Sequence, residues 1–160
     1  MTSAAALRGV AAPGISARNQ HGETVDLASC AGRPVLVMFY PFAFSRVCGS
    51  ELSELSGRWS EVRALDALVL AVSCDAVHTL RAFAEELGAP DGLELLSDFW
   101  PHGGIARRFA AFSETNGAPR RTSFILDSTL TVQHVIESGP AEARSLDETL
   151  SLLSGLQSAH

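Results

Sequence analysis

The chain has 160 residues, of which 46% are hydrophobic and 19% are charged, and its formal net charge is −6. A chain of this size and composition forms one globular domain with an ordinary core, which buries roughly two thirds of the unfolded surface. The acidic balance argues against a nucleic-acid binder or a binder of anionic membranes, because either would present a basic patch.

Targeting signals and metal motifs are absent from the sequence. No apolar stretch approaches the roughly 18 residues of a membrane-spanning helix, and the first residues do not resemble a signal peptide, so we expect a cytoplasmic protein. The five histidines are scattered, which argues against a metal site, and no glycine-rich phosphate loop is present. We therefore expect neither a metal nor a cofactor.

The chain opens with two weakly patterned segments. Residues 1–8 are small and are expected to form a mobile leader. Residues 9–13 and 19–27 predict a short hairpin whose turn lies at His21 and Gly22.

The central strand is predicted at residues 34–40, which have the continuous β-branched and aromatic character of a strand buried on both faces. Pro41 ends it, because proline has no N–H for the sheet. A helix follows with Ser45 as its N-cap, since apolar residues recur every three to five positions from there on. Cys48 therefore lies in the first helical turn, where unpaired N–H groups and the helix dipole favour a thiolate.

Strands and helices then alternate. A strand is predicted at residues 67–73, a helix at 76–87 closed by Gly88, a short strand at 93–96, and a helix at about 104–109. Such alternation requires parallel strands joined by right-handed crossovers.

The last third of the chain adds an antiparallel hairpin, with strands at residues 120–127 and 129–136 and a turn at 127–128. An amphipathic helix is predicted at 141–156. The whole order predicts an α/β protein: a thioredoxin-like sandwich with a mixed central sheet flanked by helices, as one domain over residues 1–160.

A family resemblance rests on the stretch around Cys48. Pro41, Ser45 and Cys48 match the peroxiredoxin signature P-x-x-x-T/S-x-x-C. Together with residues 95–103, the wider form Y-P-x-A-F-S/T-x-x-C-x-x-E-L resembles the one-cysteine alkyl hydroperoxide reductase E subgroup of the peroxiredoxins. The resemblance runs from about residue 9 to residue 140.

The resemblance implies a thiol-dependent peroxidase that reduces hydrogen peroxide and organic hydroperoxides through a sulfenic acid at Cys48. A thiolate that forms more easily is also a weaker nucleophile, so fixed donors must act on the two peroxide oxygens as well. In the family, Pro41 would shield the sulfur, and Ser45 and a late-strand arginine would polarise and orient the peroxide. Arg121 matches that arginine by motif, and its competitor Arg120 points to the opposite strand face.

Ordinary structural explanations stand beside these roles. A lone cysteine is usually a small buried hydrophobe, which is our interpretation of Cys30 and Cys74. Glu51 stands where the subgroup has a glutamate, and it is equally well explained as an acid in the first helical turn. Residues 98–103 are either a turn with a packed tryptophan or a subunit contact, and the family's common dimer surface implies a homodimer.

The cysteine positions predict a one-cysteine mechanism. Ser53 stands five residues after Cys48, and Cys74 stands 26 residues after it, so neither matches a resolving position of the family. A disulfide with Cys74 would need Cα atoms within about 7 Å and therefore local unwinding. The resemblance implies an external thiol reductant instead, either mycothiol with mycoredoxin or a thioredoxin-like protein.

Two other functions compete with the peroxidase. A thiol-disulfide oxidoreductase of the same fold is disfavoured by the lack of a C-x-x-C motif. A non-enzymatic peroxide sensor or interaction module would pass the oxidation of Cys48 to a partner protein without turnover.

Overall fold

The computed structural model describes residues 3–139 and 141–158. Its strands are β1 (Ser16–Arg18), β2 (Thr24–Asp26), β3 (Val35–Phe39), β4 (Leu68–Ser73), β5 (Leu93–Ser97), β6 (Phe112–Ser113), β7 (Ala118–Pro119), β8 (Thr122–Leu126) and β9 (Val132–Glu137). Its α-helices are α1 (Arg46–Gly57), α2 (Trp59–Ala64), α3 (Val77–Leu87), α4 (Gly104–Arg108) and α5 (Leu146–Ser158). No helix of this part of the chain is long and apolar enough to cross a membrane.

A five-stranded mixed sheet of order β5-β4-β3-β8-β9 forms the centre of the molecule. β3 pairs in parallel with β4, and β4 pairs in parallel with β5. β8 pairs antiparallel with both β3 and β9. All residues of β3 and β8 are buried, as strands covered on both faces require. The predicted mixed sheet flanked by helices is confirmed.

The two faces of the sheet carry separate hydrophobic clusters. Along β3, Val35, Val37 and Phe39 enter one cluster, whereas Leu36 and Met38 enter the other. We call them the α4 face, which includes residues of α4, and the α1 face, which includes residues of α1, α3 and α5. Because side chains alternate along a strand, membership of one cluster assigns a residue to one side of the sheet.

The N-terminal segment is held against the sheet rather than mobile. Ala4–Leu7 form a 3-10 helix that buries Ala4, and the Gly9 N–H donates to the Val132 carbonyl at 2.7 Å. The prediction of a mobile leader over residues 1–8 is therefore wrong for residues 3–8, because an apolar face and backbone pairing anchor them. Residues 1–2 lie outside the described part of the chain.

The first hairpin has the predicted turn and a different first arm. β1 pairs with β2, and the Asn19 side chain accepts from the His21 and Glu23 N–H groups to shape the turn. The predicted arm, residues 9–13, instead runs along the edge of β9, where Ala11 bridges Thr131.

Three further differences concern the helices and a small hairpin. The apolar pattern after Ser45 does not form one continuous helix, because α1 ends at Gly57 and α2 begins at Trp59. The helix predicted over 141–156 begins at Leu146, because the residues before it bond to another part of the chain. The short β6–β7 hairpin was not predicted.

Candidate active site

Cys48 is the third residue of α1 and is completely buried. Ser45 occupies the N-cap position, and its carbonyl accepts from the Gly49 N–H at 2.8 Å. The predicted helix start is therefore confirmed, but the Ser45 hydroxyl donates to the Phe42 carbonyl at 3.0 Å instead of capping the helix. The thiol thus lies in the first turn of α1, directly beneath the loop of residues 41–45.

That loop is tied to the end of β4. The Ala43 N–H donates to the Asp75 carboxylate at 2.8 Å, and the Ser73 hydroxyl donates to the same oxygen at 2.7 Å. Phe44 has a φ of +67°, which is unfavourable for a bulky side chain, and its ring lies 5.0 Å from that of Phe83. A strained residue persists only where its surroundings hold it, so Asp75 and Phe83 maintain the loop conformation.

A buried guanidinium contacts the sulfur of Cys48. Arg121 is 3% exposed, and its Nη1 donates to Cys48 Sγ at 3.3 Å and to Glu51 Oε1 at 2.5 Å. Burial by itself would lower the pKa of Arg121, but its bonds to Cys48 and Glu51 and their charges raise that pKa above its ordinary value. Arg120 is exposed, and its guanidinium donates to carbonyls near β6 instead.

Glu51 joins two arginines beneath the thiol. The Arg144 backbone N–H, Nε and Nη2 donate to the Glu51 carboxylate at 2.7–2.9 Å, and Arg144 Nη1 donates to the Phe39 carbonyl at 2.7 Å and to Ser123 Oγ at 3.1 Å. Burial would raise the pKa of Glu51, yet the bonds and charge of Arg144 and the charge of Arg121 lower it below its ordinary value. Glu51 is therefore an ionised arginine partner, not an ordinary exposed helix acid.

A pocket of about 650 Å³ opens in front of this cluster. Half-exposed Pro41 lies on one side, the turn residues Thr115 and Asn116 between β6 and β7 lie on the other, and Ser45 and Arg121 also line it. The arrangement is a buried thiol beside a fixed cation, Arg121, which itself lines an open pocket. It suits attack on a small molecule that develops negative charge as it reacts.

Comparison with known proteins identifies the family. The family model described as AhpC/TSA matches residues 9–135, which is most of the chain. The chain belongs to the AhpC/TSA family. The peroxiredoxin resemblance inferred from the sequence is thereby confirmed, and so is the thiol-dependent peroxidase function that it implied.

Individual relatives agree with this assignment. The chain is 32% identical to alkyl hydroperoxide reductase E of Mycobacterium tuberculosis over 137 residues, covering 85% of this chain and 88% of the relative. It is similar to the reduced 2-Cys peroxiredoxin of Plasmodium vivax, with a TM-score of 0.83, 25% identity and coverage of 95% and 82%. The AhpC of Enterococcus faecalis shares the fold, with a TM-score of 0.85, 24% identity and coverage of 96% and 93%.

The other two cysteines of this peroxiredoxin lie elsewhere. Cys30 and Cys74 are buried free thiols in the cluster of the α4 face, whereas Cys48 belongs to the α1 face. Burial, helped by the Asp98 carboxylate, raises the pKa of Cys74 to about 12, although the Gly103 N–H opposes the shift. Burial also raises the pKa of Cys30.

Four exposed aromatic side chains lie near the N-terminal end of α3. Trp100 is 83% exposed, so the explanation of residues 98–103 as a turn with a packed tryptophan is wrong. Phe42, Phe44 and Phe99 are each about half exposed. We call Phe42, Phe44, Phe99 and Trp100 the aromatic patch.

Sequence reasoning missed three parts of the site. Arg144 matches no motif and lay within a predicted helix, so no local signal marked it. Thr115 and Asn116 belong to the unpredicted hairpin. Asp75 follows a predicted strand, and its position at the carboxyl end of that strand was the one available signal. Among the described residues, no group of three or more histidine, cysteine, aspartate or glutamate side chains could hold a metal ion.

Proposed function

We propose that Cys48 is the nucleophile with which this peroxiredoxin reduces hydrogen peroxide and organic hydroperoxides. Its thiolate attacks one peroxide oxygen, the O–O bond breaks, and the sulfur becomes a sulfenic acid. The other oxygen leaves with the bonding electrons and takes up a proton, which yields water or an alcohol. The observation that carries this proposal is the 3.3 Å hydrogen bond from Arg121 to Cys48 Sγ.

Arg121 acts on both charged species of this step. Its permanent charge stabilises the thiolate, and its several donors are available to the departing oxygen in fixed geometry. Glu51 and Arg144 are positioning residues, because Glu51 holds Arg121, Arg144 holds Glu51, and neither lines the pocket.

Ser45 and Pro41 act from the loop above the thiol. Ser45 lines the pocket, and rotation of its hydroxyl away from the Phe42 carbonyl would present an O–H donor to the peroxide. Pro41 covers the sulfur and contributes no N–H that would attract water. Their shared task is to orient the peroxide and to exclude solvent from the thiolate.

A one-cysteine mechanism is supported by the position of the other thiols. Cys74 and Cys30 lie on the α4 face, so neither reaches Cys48 without disruption of the sheet or of α1. An external thiol therefore reduces the sulfenic acid. Mycothiol with mycoredoxin, or a thioredoxin-like protein, is the proposed reductant.

The aromatic patch supports a homodimer. Phe42 and Phe44 flank Ala43, which bonds to Asp75, and Phe99 and Trp100 line a pocket with Ala76, so the patch is continuous around one corner of the molecule. Exposed aromatic groups of this kind are typical of protein interfaces. We further propose a cytoplasmic location, where three unpaired thiols remain reduced.

Intact-mass analysis after one equivalent of hydrogen peroxide tests the mechanism. We expect a gain of about 16 Da, located at Cys48, that dithiothreitol reverses over repeated cycles. A stable loss of about 2 Da within one chain would contradict the one-cysteine mechanism. A single oxidation without turnover under any thiol would instead identify a sensor.

A further inference from the structure

The pocket in front of Cys48 has an unusual charge for this protein. The chain carries a net charge of −6, yet the pocket lining includes two arginines, Arg46 and Arg121, and no carboxylate. Arg121 lies at the buried end of this lining, where it pairs with Glu51, which it shares with Arg144. Arg46 is exposed, and within the described residues its side chain has no hydrogen bond or ion pair. The mouth of the pocket therefore presents one uncompensated positive charge.

The position of Arg46 is unfavourable for the helix that carries it. Arg46 is the first residue of α1, and the first turn contains no acidic residue. A cation at this end is repelled by the positive end of the helix dipole. Natural proteins break such local rules mainly at functional or strained sites.

We propose that Arg46 is a specificity-determining residue that selects hydroperoxides carrying an anionic group, such as a carboxylate, on an apolar chain. The inference rests on the proposed reaction at Cys48. Arg46 and Cys48 lie two residues apart on α1, so their side chains point in different directions. Arg46 would therefore contact the end of the substrate that is remote from the peroxide, while the peroxide group reaches the Cys48 sulfur.

The rest of the lining fits such a substrate. The lining also includes the apolar side chains of Phe42, Val47, Pro119 and Ala141. Its volume of about 650 Å³ far exceeds the space that hydrogen peroxide occupies. Because the cation is exposed, it also steers an anion toward the pocket, and this steering weakens as salt screens the charge.

Stopped-flow fluorescence of Trp59 and Trp100 tests the proposal on the full chain. The probes are a soluble alkyl hydroperoxide that ends in a carboxylate and its methyl ester. We expect the rate constant for oxidation of Cys48 to be larger for the carboxylate by on the order of tenfold at low salt, and the ratio to approach one at high salt.

Three variants separate Arg46 from overall charge. Arg46→Gln should bring the ratio close to one, and Arg46→Lys should restore most of it. Arg63→Gln removes the same charge from an exposed position in α2 and should keep the wild-type ratio. Thermal unfolding of Arg46→Gln should not occur at a lower temperature, since an unfavourable charge has been removed from the helix start.

The outcomes are distinguishable. Equal rates for acid and ester in the wild type, or an equal loss of the ratio in Arg63→Gln and Arg46→Gln, would overturn the role of Arg46 while leaving the peroxidase intact. Failure of both hydroperoxides to oxidise Cys48 would overturn the proposed function itself.

Discussion

Cys48 and Cys74 are two buried thiols with opposite surroundings. Cys48 lies on the α1 face, where the guanidinium of Arg121 contacts its sulfur. Cys74 lies on the α4 face, where burial and the carboxylate of Asp98 raise its pKa to about 12. Both residues are buried, so burial alone does not distinguish them.

The difference suggests a rule: the sign of the neighbouring charge separates the proposed nucleophile, Cys48, from the core residue, Cys74. In general, a neighbouring cation favours a thiolate, whereas a carboxylate and an apolar environment favour the neutral thiol. One domain can therefore hold both kinds of cysteine, one after β3 and the other after its neighbour β4.

The strongest test of this contrast exchanges each thiol for a hydroxyl. Cys48→Ser should reduce thiol-dependent peroxide consumption to background, because the serine hydroxyl is a far weaker nucleophile toward peroxide than a thiolate. Cys74→Ser should retain the wild-type rate. Both are measured by thiol-dependent peroxide consumption. Activity lost in Cys74→Ser with an unchanged fold would mean that Cys74 takes part in recycling.

Alkylation compares the two thiols directly in the wild type. A pKa near 12 instead of the ordinary value leaves Cys74 with roughly 10³-fold less thiolate at neutral pH. Iodoacetamide at pH 8 should therefore label Cys48 and leave Cys74 unlabelled, as peptide mass spectrometry would show. Labelling of Cys74 at a rate comparable to that of Cys48 would contradict the proposed difference in reactivity between the two thiols.

The Glu51 carboxylate holds the arginine beside Cys48, so its removal should also lower the stability of the fold. Glu51→Ala leaves Arg121 and Arg144 buried without their carboxylate, which should lower the free energy of unfolding by about 3–5 kcal/mol. Glu54→Ala, three residues further along α1 and paired only at the surface, should change it by less than about 1 kcal/mol. Urea denaturation measures both.

The loss of stability in Glu51→Ala should become smaller as the pH falls. Because the folded-state pKa of Glu51 lies below its unfolded value, its contribution is present above an unfolded pKa of about 4.3 and disappears as pH falls through the lower folded value. The deficit of Glu51→Ala should therefore be constant near neutral pH and shrink in acid. A deficit that grows in acid would contradict the ionised state.

Arg121→Lys keeps a positive charge and loses the planar guanidinium, whose Nη1 donates to both Cys48 and Glu51 and whose other nitrogens supply further fixed donors. We expect the rate constant with hydrogen peroxide to fall about 10²- to 10³-fold, as for the loss of one fixed donor to a developing charge. Arg120→Lys, at the neighbouring exposed position, serves as the matched control and should lose far less. An equal fall in the rate constant of both variants would mean that the substitutions disturb the strand and that the Arg121 guanidinium has no specific role.

Asp75→Ala should have the smallest effect. It removes the acceptor of the Ala43 N–H and should allow the strained Phe44 to relax, which we expect to slow peroxide reduction by about tenfold. Asp91→Ala, in an exposed loop, is the control. Hydrogen exchange of the Ala43 amide should rise in the first variant alone, which distinguishes loop positioning from a general loss of stability.

The sequence predicted the part of this molecule that local patterns encode. Continuous apolar runs located β3 and β4, and the start of α1 placed Cys48 in a helical turn. Arg121 came from a family motif and not from periodicity, since no local pattern states which strand faces which helix.

The rest depends on contacts that sequence periodicity does not report. Arg144 looked like a helical residue because its neighbours continue an amphipathic pattern, but its backbone and side chain bond to Glu51, 93 residues away. Ala4–Leu7 looked unpatterned because four small or apolar residues carry little periodic signal, yet they dock on the sheet. In both places a tertiary contact overrode the local preference.

The long separations within the Glu51 cluster have a consequence for the newly made chain. Glu51 leaves the ribosome 70 residues before Arg121 and 93 residues before Arg144. Until the sheet closes, Cys48 is a thiol without its cation, and it reacts with peroxide no faster than a thiol in a peptide. If Cys48 is the nucleophile, fast peroxide reduction therefore requires the folded sheet, and a nascent chain should form sulfenic acid only at the slow rate of an ordinary thiol.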